Sequence, residues 1–176
     1  NEMDENVPFL DEVTLMGGVD LPKEFMVEGL EFPEQFKIDK MEYEYQGKTM
    51  TCVANGFTTL AEQYLRLKTG EIHKFSQVHL FFNSGGSARG SNIKNNLETA
   101  RLNGLVSYEK LPLPDKPDKI KEDWFKKMQS LAINIPFDDA YKIPGYCKVR
   151  GNWDDMKAAM FLYKRPLLAA VRIAGD

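Results

Sequence analysis

The sequence predicts an α+β chain, because segments with helical periodicity come first and strand-like sequence comes after them. Three observations carry this expectation. From Cys52 to Lys68, apolar residues recur at helical spacing. Between residues 76 and 131, three shorter segments do the same. After Pro166, LLAAVRIA (167–174) is an apolar run of strand length.

Residues 1–31 differ in character from the rest of the chain. Asp11, Glu12, Asp20, Glu24 and Glu28 are interleaved with Leu15, Met16, Leu21, Phe25 and Met26 around a Gly17-Gly18 break. They are expected to form a surface strap, a propeptide remnant or a partner-binding arm, beside a domain spanning 32–176. FPEQFKID, from Phe32, reads as an extended lead-in.

The strongest element is the helix from Cys52 to Lys68. Val53, Phe57, Leu60, Ala61, Tyr64, Leu65 and Leu67 give it one broad apolar face. Thr69-Gly70 ends it. Ser76 is a plausible cap for a short helix through QVHLFF. NSGGSARGS (83–91) reads as a flexible loop. Asn92 to Asn103 is a third helix, with Ile93, Leu97, Ala100 and Leu102 inward. The proline-rich LPLPDKPDK (111–119) reads as a link between lobes. Ile120 to Leu131 is amphipathic, with a stripe of Trp124, Phe125 and Met128. Asp154 to Tyr163 is another helix, with Asn152 as candidate cap, and the 167–174 strand closes the chain.

With 176 residues, 43% of them hydrophobic, the chain suits one domain with its own core. A net charge of −3 provides no basic footprint for nucleic acid. No window is apolar enough for a membrane span, and NEMDENVPFLDEV lacks the regions of a signal peptide. Two histidines without companions at ligand spacing make no metal site. GGSARG lacks the Lys-Ser/Thr ending of a phosphate-binding loop. No cofactor or metal is expected. A cytoplasmic or virion-associated setting fits two cysteines that form no disulfide framework.

The chemistry concentrates in EYQGKTMTCVANGF (44–57). A thiol reacts as the thiolate, which free N–H groups and the dipole at a helix N-terminus stabilise. Cys52 opens the strongest helix. Attack on an amide carbonyl develops an oxyanion, which needs donors already in place. The side-chain amide of Gln46 and the backbone N–H of Cys52 are the candidates, and Gly47 lets the connecting loop turn tightly. A free cysteine is more often a small buried hydrophobe. That bland reading is kept for Cys147, in YKIPGYCKV, which has no helix start beside it.

QGKTMTCVANGF resembles the active-site segment of papain-like cysteine peptidases. In that family an oxyanion-hole glutamine followed by glycine stands six residues before the nucleophilic cysteine. The likeness continues through Glu62, the KTGE and FSQ segments, GLVSYEKLPLP (104–114) and WDDMKAAMFLYKRPLLAAVRIAG, so it covers residues 32–176. It implies a two-lobe fold: a helical lobe with a central Cys-bearing helix, and a partial β-barrel lobe. It implies peptidase action on a polypeptide substrate through a thioester at Cys52, with Gln46 in the oxyanion hole. Gly90 and Ser91, fourteen and thirteen residues before Gly104, fall near the family's substrate-binding glycine pair, with Gly85-Gly86 the competing assignment. Val53 stands where the family usually has an aromatic residue, and the family's disulfide cysteines are missing.

The family's catalytic histidine lies roughly 130 residues or more after the cysteine, beyond Asp176. Only His73 and His79 are present, and both read as surface or packing residues. A C-terminally incomplete domain is therefore expected, with a His-bearing segment or an assembly partner completing the site. The competing expectation is a scaffold whose site is incomplete, serving as an interaction component of a larger assembly such as a virus particle.

Overall fold

The computed structural model describes residues 33–35, 44–121, 123–143, 145–146, 149, 153–163 and 167–168. The 1–31 strap, Cys147, Asn152 and all but two residues of the 167–174 strand lie outside the described residues. The chain divides into two units, Lys40–Pro144 and Asn1–Asp39 with Gly145–Asp176.

In the first unit, α1 (Cys52–Thr69) turns its periodic face inward and buries Ala54, Phe57, Ala61 and Leu65. It ends at Gly70, whose φ of 75° lets its N–H return to Arg66 O at 2.9 Å. Leu67, on the expected apolar face, lies instead 49% exposed in the last turn. The next helix, α2 (Gln77–Asn83), is buried on every side from Gln77 to Phe82, so it serves as the core's central rod. Ser76 caps it by accepting the His79 N–H at 3.0 Å. Both α1 and α4 (Trp124–Asn134) pack on α2, as does α3 (Ile93–Leu102).

The aromatic stripe predicted on α4 forms its contact with α2. Trp124 meets Phe82 at 5.8 Å between ring centroids, and Phe125 meets it edge-on at 6.4 Å. The helix starts at Trp124 rather than at Ile120. On α3 the inward positions are Asn96 and Ala100, whereas Leu102 is 55% exposed. In the other unit, α5 (Trp153–Tyr163) carries Asp154 and Asp155 in its first turn, where the helix dipole favours acids.

The α+β expectation is overturned. Helical turns account for 53% of the described residues, and no strand occurs among them. The extended stretches pair one residue at a time, at Phe75–Ser107, Ser87–Gly90 and Leu105–Tyr141. None extends into a ladder, because the flanking residues leave at once. Phe75 runs into the cap of α2, and Ser107 into a single helical turn, Tyr108–Lys110. After α4, Pro136 and an Asp139 at φ 59° make a turn rather than a strand. A partial β-barrel lobe is not present among the described residues.

The proline-rich segment is also not a link. It lies inside the Lys40–Pro144 unit and buries Leu111, Leu113 and Pro117.

Candidate active site

Cys52 is the first residue of α1 and is exposed. The first N–H with a partner in this helix is that of Asn55, donated to Thr51 O at 2.8 Å. The N–H groups of Cys52, Val53 and Ala54 precede it, as at every helix start. In α2 and α3 a side chain takes up such groups, Ser76 accepting from His79 and Asn92 from Lys94 at 2.8 Å, whereas Asp123 before α4 makes no cap hydrogen bond. Thr51 stands at the same position in α1 and makes no cap hydrogen bond. Its hydroxyl is engaged by Thr49 Oγ1 at 2.7 Å and by Asn55 Nδ2 at 3.1 Å. The tip of α1 therefore has no side-chain cap among the described residues.

Gln46 belongs to the turn that delivers the chain to this tip. Thr49 returns to it twice, N–H to Gln46 O at 3.2 Å and Oγ1 to the same oxygen at 2.8 Å. The Gln46 side chain reaches the first turn of α1, where its Oε1 accepts from Asn55 Nδ2 at 3.2 Å. Cys52 and Asn55, three residues apart, are neighbours on one helix face. The turn and the helix start thus form one closed ring of hydrogen bonds through Gln46, Thr49, Thr51 and Asn55. Asn55 Oδ1 is buried without a donor, a penalty of about 1–3 kcal/mol that the ring carries.

The rest of the unit holds the turn from outside. Gly47 sits at φ 53°, and a Cβ there would lie 2.6 Å from the carbonyl carbon of Pro117. Only glycine permits both this backbone and this approach. Lys48 N–H donates to Pro117 O at 3.1 Å, and Tyr45 Oη donates to Asp118 at 3.0 Å. Glu44 pairs with Lys74 at 2.9 Å and accepts from Gln77 Nε2. Met50, between the buried Thr49 and Thr51, takes a left-handed φ of 59° and is 41% exposed. Such strain gathers at sites whose surroundings over-determine the backbone.

No family model, no curated protein and no solved structure matches this chain.

The other residues singled out by the sequence sit apart from this ring. Gly90 closes a tight turn with Ser87, its N–H to Ser87 O at 2.8 Å and its carbonyl accepting Ser87 N–H at 3.1 Å. The Ser91 hydroxyl accepts from Asn96 Nδ2 at 3.0 Å. No hydrogen bond among the described residues joins either residue to Gln46 or Cys52. Gly86 is used in packing, since a Cβ on it would fall 2.5 Å from Phe81 O.

Neither histidine approaches the thiol. His73 lies beyond the C-terminal end of α1, 3.4 Å from Glu71. Seventeen rises of ~1.5 Å separate the two ends of that helix, or ~26 Å. His79 is fully buried in α2, with Nε2 3.1 Å from Ile135 O and its ring edge-on to Phe137. Burial holds its pKa below the ordinary value.

Sequence reasoning missed Thr49, Thr51, Asn55 and Pro117. The Thr-x-Thr spacing and the i, i+4 relation of Thr51 to Asn55 were visible signals. Nothing local announced Pro117, which is brought in from seventy residues away.

Proposed function

We propose that this chain is a cysteine peptidase of papain-like chemistry, cleaving amide bonds of a polypeptide through a thioester at Cys52. One observation carries the reading. An exposed cysteine opens an uncapped helix, and a glutamine side-chain amide is tied into the same first turn. The Cys52 sulfur attacks the carbonyl carbon, forming the C–S bond, and the carbonyl oxygen takes the negative charge. Gln46 Nε2 and the Cys52 backbone N–H are the donors for that oxyanion. Collapse breaks the C–N bond, the amine leaves with a proton, and water then hydrolyses the thioester.

The reaction needs an imidazole to move those protons, and the positions of His73 and His79 exclude both. The reading therefore includes a base from outside this chain's two histidines, supplied by a partner chain or a further segment. That both histidines are held away from Cys52 supports a second reading, in which the domain serves as an interaction scaffold and Cys52 does no chemistry.

Two thiol reagents separate the readings. Acylation by para-nitrophenyl acetate passes through an oxyanion, whereas alkylation by iodoacetamide does not. For the peptidase, Cys52 acylates well ahead of Cys147, and Gln46→Ala slows acylation about a hundredfold while leaving alkylation unchanged. With both reactions run at pH 9, where a thiol of ordinary pKa ionises without a base, equal, slow acylation of both cysteines overturns the peptidase reading and favours the scaffold.

A further inference from the structure

We propose that Asn55 is a positioning residue for Gln46: it takes the Oε1 end of the glutamine amide and so leaves the Nε2 hydrogens as the end offered to a developing oxyanion. This rests on the reading of Cys52 as an acyl-accepting nucleophile.

Hydrogen-bond polarity carries the assignment. The backbone oxygen of Gln46 is an acceptor only, so Thr49 Oγ1 spends its one proton there, at 2.8 Å. The 2.7 Å contact between Thr49 and Thr51 then requires the Thr51 hydroxyl to donate. With its proton committed, Thr51 Oγ1 meets Asn55 only as an acceptor, so the Asn55 atom 3.1 Å away is the nitrogen. That same nitrogen lies 3.2 Å from the Gln46 amide, which must present oxygen to it. Turning Asn55 over would set two acceptors against each other at Thr51. The orientation of the glutamine is thus dictated by its own main-chain carbonyl, relayed through two hydroxyls and one amide. The cost of this orientation is the Oδ1 of Asn55, which is buried without a donor.

Asn55→Asp tests this directly, because it keeps the shape and replaces the donor with an acceptor. The glutamine then satisfies the carboxylate with Nε2 and turns its oxygen outward. A carboxylate in the first turn of a helix is electrostatically favourable, so the fold is retained. Acylation of Cys52 by para-nitrophenyl acetate is expected to fall at least tenfold further than iodoacetamide alkylation, which reports the slowing caused by the new charge beside the thiolate alone. Asn55→Ala supplies an independent readout. Nitrogen relaxation of the Gln46 side-chain NH2 is expected to show increased fast motion once its anchor is gone.

An unaltered protein whose Cys52 does not acylate even at pH 9, where no base is needed to form the thiolate, overturns the peptidase reading and this inference together. Acylation that depends on Gln46 but is indifferent to Asn55→Asp overturns the inference alone. So does an NH2 group as rigid in Asn55→Ala as in the unaltered protein.

Discussion

The carboxylate of Glu62, only 3% exposed on α1, accepts the backbone N–H of Phe75 at 2.8 Å. This bond holds the segment after α1 against the helix that carries the candidate nucleophile. Burial raises the Glu62 pKa from 4.5 to about 7, the Phe75 N–H opposes that rise, Glu44 adds to it and Lys74 opposes it.

The folded protein consequently holds the Glu62 proton more tightly than the unfolded chain does. Its contribution is complete below pH 4.5 and is lost as pH rises through about 7. The loss amounts to about 3 kcal/mol across that window. Urea unfolding of the unaltered protein and of Glu62→Gln, measured at several pH values, should diverge in the variant's favour as pH rises. Parallel curves would falsify this account.

His79 acts in the opposite direction. Burial lowers its pKa, so the unfolded chain binds the proton first as pH falls below 6.5, and stability declines. His79→Gln should flatten the acid side of the stability profile. It should leave Cys52 labelling by iodoacetamide untouched, since the ring bonds Ile135 and not the thiol. A variant that labels more slowly would place His79 in the chemistry.

Two glycine replacements separate backbone strain from close approach. At Gly70 the left-handed φ faces open space, so Gly70→Ala costs only the strain of about 1–2 kcal/mol. Gly47→Ala bears the same strain and also drives a Cβ into the Pro117 backbone at 2.6 Å. It should cost at least about 1 kcal/mol more than Gly70→Ala and slow acylation by moving Gln46. Equal losses at the two positions in thermal unfolding would show that Pro117 yields freely.

Met50 holds a left-handed φ of 59° without the freedom of glycine. Met50→Gly removes that strain and should stabilise the protein by up to about 1 kcal/mol, seen as a higher urea midpoint. A lower midpoint would mean that the Met50 side chain makes stabilising contacts outweighing the strain.

Much of the helical unit was legible because its signals are local. The apolar spacing of α1, the Ser76 cap and the Trp124–Phe125 stripe each lie within a turn or two of chain, and each appears in the structure. The errors fall where the deciding contact is distant. A proline-rich run looks like a linker until Pro117 is seen against Gly47. A barrel lobe is expected from family likeness, yet the extended pairings at Phe75 and Leu105 diverge after one residue.

The sequence by itself determined where the helices run and which cysteine opens one, since periodicity and caps need only neighbouring residues. It also singled out Gln46 and Gly47 from their spacing to Cys52. Only the tertiary structure decided that Thr51 is diverted from capping, that Asn55 grips the glutamine by its oxygen, and that both histidines are held elsewhere. The reason is physical. Hydrogen-bond polarity and close approach depend on which groups meet in space, and in a folded chain many of those meetings are between residues far apart in sequence.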